Sequence, residues 1–418
     1  MQRTLSATAV AAVVLSLSAG AVAQNCYESG HQCFTFGPPR SAAVGKVDTA
    51  GLLDLKSQKL TIEGDIRLRV RVAETRAQYP YAEADQQATR ARIRMRYQAN
   101  DKVHALGEFN LSETWAGSEA YSDALEGENF NGVSQFYLHA DDMLGFGDIW
   151  RVGRSEFILG NGLVLGSCDF LQRPGTFTGV WVSRKFGGHM VEGFVFDDYG
   201  PLQSIHDGVR YIGATASIAA CDWVGDIVQA IKPYYMAGTR DGDFVSPTTN
   251  PTEEDAWLGI DGVGQLPGNF RWNIEFANRF VDGGQDRMAW RGTITKPLDL
   301  FDGFWRSVSI QITDAEGKMD VGNPADFNSA GLLHQYGGAW RSDMQTGQLG
   351  FGFAPCENVT LDVNLLTLDR RGTAAQLGDF EADVILGAKM ASGVYIAGGY
   401  GIDNDRRQVG YMQLTMNF

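Results

Sequence analysis

Beyond its first residues the chain lacks any run of roughly 18 to 20 uninterrupted apolar residues, the length a helix needs to cross a bilayer. Cysteine is scarce, five among 418 residues, which excludes a disulfide scaffold. Lysine is scarce too, 9 against 26 arginines, and the formal charge of -15 argues against the broad basic surface that nucleic-acid phosphates require. The sequence contains no His-Glu-x-x-His, no Cys-x-x-Cys, no Gly-Lys-Ser/Thr phosphate loop and no Gly-x-Ser-x-Gly elbow, so no cofactor and no standard hydrolase motif is expected. Its six histidines, at 31, 104, 139, 189, 206 and 334, are scattered. With 44% hydrophobic residues it is also too apolar for a disordered chain. A large soluble protein or a membrane β-barrel remains.

The amino terminus reads as an export signal. Arg3 supplies the positive start, Leu5 to Leu17 the apolar run, and Ala21-Val22-Ala23 a small-residue cleavage site before Gln24. The signal peptide is therefore placed at 1–23, without a lipid anchor. Residues 24–58 hold Gly37-Pro38-Pro39 and little periodicity, and form a lead segment; the barrel domain is expected over 59–418. Cys26 and Cys33 could pair in an oxidising compartment or remain free thiols.

From Leu60 onward the dominant signal is alternation with period two, which sends every second side chain to the same face of a strand. Ile62, Ile66, Leu68, Val70 and Val72 alternate with Glu63, Asp65, Arg67, Arg69 and Arg71. Ala91, Ile93, Met95 and Tyr97 alternate with Arg90, Arg92, Arg94 and Arg96. Similar segments follow near 103–111, 132–141, 178–197, 208–219, 226–238, 270–280, 287–296, 304–313, 357–368, 379–402 and 407–418. A soluble sandwich would alternate as well, so the pattern alone does not choose between the two architectures.

The carboxyl terminus chooses. Gly410, Met412, Leu414, Met416 and Phe418 share one face, and the chain stops at the aromatic residue. A final strand of this kind resembles the assembly signature of Gram-negative outer-membrane barrels, and implies that barrel-assembly machinery engages Phe418. In hydrocarbon every backbone N–H and C=O must be paired, so a spanning chain without helices must be a closed barrel. The 360 residues after the lead segment, divided among strands of about 9 to 11 residues and connections of similar length, predict roughly 18 strands. A count of candidate segments gives about 19, whereas a bacterial single-chain barrel has an even number; the surplus is expected between Gly317 and Gly352, where alternation is poor. The fold class is thus all-β, an antiparallel transmembrane barrel with long extracellular loops, seated among outer-membrane lipids.

Arginine carries the chemistry. Arg67, Arg69, Arg71, Arg90, Arg92, Arg94 and Arg96 lie at strand spacing on the face opposite the apolar one. Residues 61–100 sum to +3 in a chain of -15, so positive charge is concentrated on one patch. If the apolar face meets lipid, these guanidinium groups meet the lumen, where they would attract anions and bind carboxylate by forked hydrogen bonds. The alternative is a structural ladder neutralised by Glu63, Asp65, Glu108, Glu381 and Asp383. The Gly-rich stretch 160–166 allows a tight fold toward the lumen, where Arg173, or Arg154 on the wall, would narrow the pore; an ordinary exposed loop is the plainer reading. The acidic run Glu253-Glu254-Asp255 reads as a solvated loop face.

Several of these stretches resemble the alginate export family of outer-membrane barrels. Gly64-Asp65-Ile66-Arg67-Leu68-Arg69 is similar to its early strand. Gly153-Arg154, Leu159-Gly160-Asn161-Gly162-Leu163-Val164-Leu165-Gly166 and Phe177-Thr178-Gly179-Val180 look like later motifs. Asn161, Leu163 and Thr178 stand where the family has Asp or another acid, Arg and Asp, which keeps the turn glycines and removes charges. The resemblance implies a monomeric 18-stranded barrel with an arginine-lined conduit for anionic sugar polymers or related solutes. The expectation is therefore a passive, anion-attracting channel for anionic small molecules or polysaccharide, lined by the seven arginines above and Arg154. A barrel hydrolase and a non-conducting structural barrel are the alternatives.

Overall fold

Alternating residues that cannot hide both faces in one layer fold here into a single closed sheet. The computed structural model describes residues 60–74, 86–116, 131–165, 176–199, 209–219, 225–240, 256–280, 286–316, 344–370, 380–391 and 393–418. The signal peptide, the lead segment, Cys26, Cys33, Arg173 and the acidic run at 253–255 lie outside the described residues.

Eighteen strands follow one another: β1 (Leu60–Glu74), β2 (Gln86–Gln98), β3 (Val103–Ala116), β4 (Asn131–Asp141), β5 (Asp148–Ser155), β6 (Thr176–Phe186), β7 (His189–Tyr199), β8 (Val209–Ala219), β9 (Ala230–Arg240), β10 (Ala256–Leu266), β11 (Phe270–Phe280), β12 (Arg287–Leu300), β13 (Trp305–Ala315), β14 (Met344–Cys356), β15 (Val359–Arg370), β16 (Phe380–Ala391), β17 (Val394–Asp403) and β18 (Gln408–Asn417). Each pairs antiparallel with its sequence neighbours, and β1 pairs with both β2 and β18, so the sheet has no free edge. The count is even. Part of the stretch held responsible for the surplus strand, 344–352, belongs to β14; the rest, 317–343, lies outside the described residues.

The seam is closed by the chain terminus. Gly64 N–H donates to Phe418 O (2.9 Å) and Phe418 N–H returns the bond to Gly64 O (3.0 Å). Gly64 must be glycine here: a Cβ would collide with the Arg92 carbonyl and lie 2.7 Å from the Phe418 ring.

The two faces of the sheet sort as oil and water require. Leu68, Val70 and Val72 of β1, Phe136 and Leu138 of β4, Ile310 of β13 and Met412 of β18 lie on the exterior, 40–62% exposed. Such a continuous apolar skin is untenable in water and fits the hydrocarbon of a bilayer. Short turns such as 187–188, 267–269 and 357–358 lie at one end of the barrel. At the short-turn end Lys102 Nζ donates to Asp142 Oδ2 (2.7 Å), joining the β2–β3 and β4–β5 turns. That bond, with the Gly147 N–H, holds the Asp142 carboxyl below its ordinary range.

Candidate pore lining and inner loop

Residues 67, 69 and 71 of β1 and 90, 92, 94 and 96 of β2 occupy one face of two paired strands, the face opposite the exterior Leu68, Val70 and Ile93. The seven arginines thus form one inward patch. They share it with Glu63 and Asp65 of β1 and Glu108 of β3, seven positive charges against three negative. Asp65 takes Arg92 Nε on Oδ2 (2.7 Å) and Arg90 Nη2 on Oδ1 (3.3 Å). Glu108 takes both Nε (3.1 Å) and Nη2 (2.5 Å) of Arg94, a forked pair, and also the Ser134 hydroxyl (2.7 Å). Arg69 Nε and Nη2 both donate to Gln413 Oε1 of β18 (3.0 and 2.9 Å). Arg67, Arg69, Arg71 and Arg90 are buried within the barrel, whereas Arg96 is exposed near the short-turn end. The carboxylate-paired ladder and the arginine-rich ladder are therefore both present. On β1 to β3, Glu63, Asp65 and Glu108 bond Arg90, Arg92 and Arg94.

Arg154 is a correction. It lies in register with Phe136 and Thr178, on the outer face, and donates to Thr178 Oγ1 (3.3 Å) and the Val133 carbonyl (3.0 Å). Strand parity decides this: Ser155, its neighbour, is buried inward beside Phe177, so Arg154 must point away from the lumen.

The Gly-rich stretch does turn inward. After β5 the chain runs through residues 156–165, folds back on itself through a Leu159–Leu165 bridge, and packs against the inner wall of β6 to β13. Phe157, Leu159 and Leu165 enter an aromatic cluster with Phe177, Phe196, Tyr211 and Trp257. Sequence reasoning did not anticipate this apolar inner wall, because it assigned one apolar face per strand and gave that face to lipid. The signal was the run Phe194-Val195-Phe196, apolar on both faces.

Polar bonds fasten the tip of this inner loop. The Glu275 carboxylate of β11 accepts the Leu163 N–H on Oε2 (3.2 Å) and the Tyr234 hydroxyl on Oε1 (3.0 Å). Arg291 of β12 lies 3.5 Å from the same carboxylate and donates to the Asn161 carbonyl (2.7 Å). Asn161 Nδ2 donates to Asn273 Oδ1 (2.6 Å), and Asn273 Nδ2 to Asp261 Oδ1 (2.8 Å). Gly160 permits the approach. Its φ of +60° suits glycine, and a Cβ would collide with Glu275 and the Tyr234 ring. In a ring of 18 strands β1 is nine places from β10, so the loop and its acidic anchor stand across the lumen from the arginine ladder.

The described histidines meet no serine nucleophile in their hydrogen bonds and ring contacts. His104 and His139 stack with ring centroids 4.4 Å apart, His139 Nε2 lies 3.1 Å from Asp141, and His189 Nδ1 accepts the Ala219 N–H (3.2 Å).

A closed 18-stranded sheet with an apolar skin and a charged interior narrowed by an inward loop is an outer-membrane barrel of the porin architecture. Comparison with solved structures agrees. The chain aligns over 86% of its length with Pseudomonas aeruginosa OccK3 (OpdO), covering 95% of that chain at 14% identity and a TM-score of 0.60. It aligns likewise with a BenF-like porin from Pseudomonas fluorescens Pf-5, covering 98% of it at 13% identity and a TM-score of 0.61. A third match is P. aeruginosa OccK2 (OpdF) in complex with glucuronate, 96% covered at 11% identity and a TM-score of 0.59. No protein-family model matches the chain, and no curated protein matches it by sequence. The 18-stranded barrel implied by the alginate-export resemblance is what the structure contains, while membership of that family finds no support in these comparisons.

Proposed function

We propose that the protein is a passive outer-membrane channel for anionic solutes, with carboxylate-bearing molecules guided along Arg67, Arg69, Arg71, Arg90, Arg92, Arg94 and Arg96. The observation that carries this reading is the excess of seven inward guanidinium groups over three carboxylates on the inner faces of β1 to β3. Such a patch raises local anion concentration, and a row of similar weak sites lets a solute move on rather than stay bound. Uronates are the class best suited, because a carboxylate takes the arginine fork; the structural likeness to a protein solved with glucuronate supports the same class. The sheet closes within one chain, so a monomer forms a complete pore. The apolar skin engages outer-membrane lipid, and Phe418 at the seam is the contact for barrel assembly.

Reconstitution into planar bilayers tests the proposal. Under a salt gradient the reversal potential should report anion preference, stronger at low ionic strength than at high. Cation preference, or the absence of conductance, would overturn it.

A further inference from the structure

The exterior apolar skin is uneven in height. On β1 the outward positions run from Ile62 through Gly64, Ile66, Leu68 and Val70 to Val72 without a polar side chain. On β5 and β6 only two side chains per strand, Trp150 and Val152 beside Val182 and Val180, separate polar rows at either end. The row farther from the short turns reads Arg154, Thr178, Asp197 and Arg210 across β5 to β8. The nearer row, beside the 187–188 turn, sets Asp148 opposite Arg184. From Arg184 to Thr178 the chain advances about 20 Å along the strand, and less along the barrel axis, against an apolar band about 25 Å tall in barrels of this kind. The lipid-facing belt is therefore low on β5 and β6.

A cation on the lipid face is costly at mid-bilayer and nearly free at the boundary. Arg184 stands at that boundary between two rings: its Cζ lies 5.5 Å from the Phe146 centroid and 4.8 Å from that of Phe186. Asp148 faces it across the ladder but uses its carboxylate on the Leu144 N–H (3.2 Å), the Phe146 N–H (3.4 Å) and the Trp150 indole. Those bonds fix the β4–β5 turn with Met143, Leu144 and Phe146 held exposed. Among the described residues no carboxylate forms an ion pair with Arg184, and its two Nη atoms stay accessible. A forked donor held between rings at the edge of an apolar surface matches a phosphodiester that carries acyl chains. The exterior Val152, Val180 and Val195 beside it continue the skin that meets hydrocarbon, which makes a bilayer lipid the occupant.

We infer that the outer face of β5 and β6 holds a phospholipid of the leaflet at the short-turn end, its phosphate on the Arg184 guanidinium and its chains against Val152, Val180 and Val182. The Phe146 and Phe186 rings orient the guanidinium, and the rigid β4–β5 turn keeps Phe146 in place. Because the belt is low here, the phosphate sits closer to the middle of the barrel than beside β1, and the bilayer thins to follow it. The site lies on the outside of the wall and does not depend on what passes through the lumen.

Native mass spectrometry of the full chain in mild detergent tests this with two probes, dioleoyl phosphatidylglycerol and dioleoylglycerol, which has the same chains without the phosphate. The protein should retain the phospholipid and not the diacylglycerol, and excess inorganic phosphate should not displace it. Arg184→Gln should lower the retained fraction several-fold, while Arg184→Lys, which keeps the charge and loses the fork, should fall between the two. Arg210→Gln is the control: it removes an outer-face arginine that is paired with Asp197 (3.0 Å) in the opposite row, and retention should be unchanged. Ordinary single-channel conductance reports that each variant barrel is assembled. Equal retention of the two probes, retention indifferent to Arg184→Gln, an equal loss in Arg210→Gln, or a lipid-free dimer in place of a lipid-bound monomer overturns the site. Cation preference in bilayer recordings overturns the proposed channel function instead and leaves this site standing.

Discussion

Arg67 and Arg90 stand directly opposite each other across the β1–β2 ladder, both on the lumen face, 2% and 1% exposed. Like charges facing each other across a sheet repel, and Asp65 answers them from the next row by bonding Arg90 and Arg92 together. One carboxylate thus organises the outer part of the ladder.

Asp65→Asn removes that counter-charge with little change of shape. Breaking a buried ion pair by neutralising one partner costs about 3 kcal/mol, so the barrel's urea unfolding midpoint should fall. At the same time the ladder gains one net positive charge, and the reversal potential should shift toward stronger anion preference. A stable variant with unchanged selectivity would refute this role for Asp65.

Arg92→Glu with Arg94→Glu takes the inner faces of β1 to β3 from a net +4 to zero. Anion preference should disappear at low salt and change little at high salt, where screening already weakens the patch. The reversal potential at two ionic strengths measures it. Because Arg154 points to the outer face, Arg154→Gln should leave selectivity unaltered, a control that strand parity dictates.

Glu275→Ala unfastens the inner loop from β11 by removing the acceptor of Leu163 N–H and Tyr234 OH. Hydrogen bonds to a charged group contribute about 1.5–3 kcal/mol each, so the loop should leave its seat often enough to raise single-channel current noise and mean conductance. Gly160→Val should do the same by collision. Quiet recordings of ordinary amplitude from both variants would show that the loop does not set the pore.

Gly64→Val places a branched side chain where the Phe418 ring and the Arg92 carbonyl already sit. The seam between β1 and β18 should fail to close, lowering the fraction of folded, heat-modifiable barrel on gels. Phe418→Ser should reduce the amount reaching the outer membrane while sparing the selectivity of what arrives.

Much of this architecture was legible in the order of residues. The alternation at 62–72 and 90–97 gave two strands with their inward and outward faces, and the run ending at Phe418 gave the final strand, while its closure against β1 at Gly64 showed only in the structure. β10 was less visible because Gly259, Gly262 and Gly264 interrupt its pattern. Gly259 has no side chain because the Tyr234 ring packs against its backbone, an event on another strand. β14 hid for a related reason, with Gly350 and Gly352 lying under Ser309 and Ser307. Arg154 was placed on the wrong side because Gly153, with φ at +129°, sits next to it where the chain leaves the strand, and glycine carries no mark of which face it occupies.

The sequence by itself determined that the chain spans with strands, that one face of β1 and β2 is basic and that the last residue belongs to the sheet. These are local facts, set by the two-residue repeat of an extended backbone. Only the tertiary structure decided which partners the ladder arginines meet and where the inner loop is anchored. Each of those depends on residues brought together by closure of the ring, such as Arg69 with Gln413 or Leu163 with Glu275, and separations of that order leave no periodicity to read.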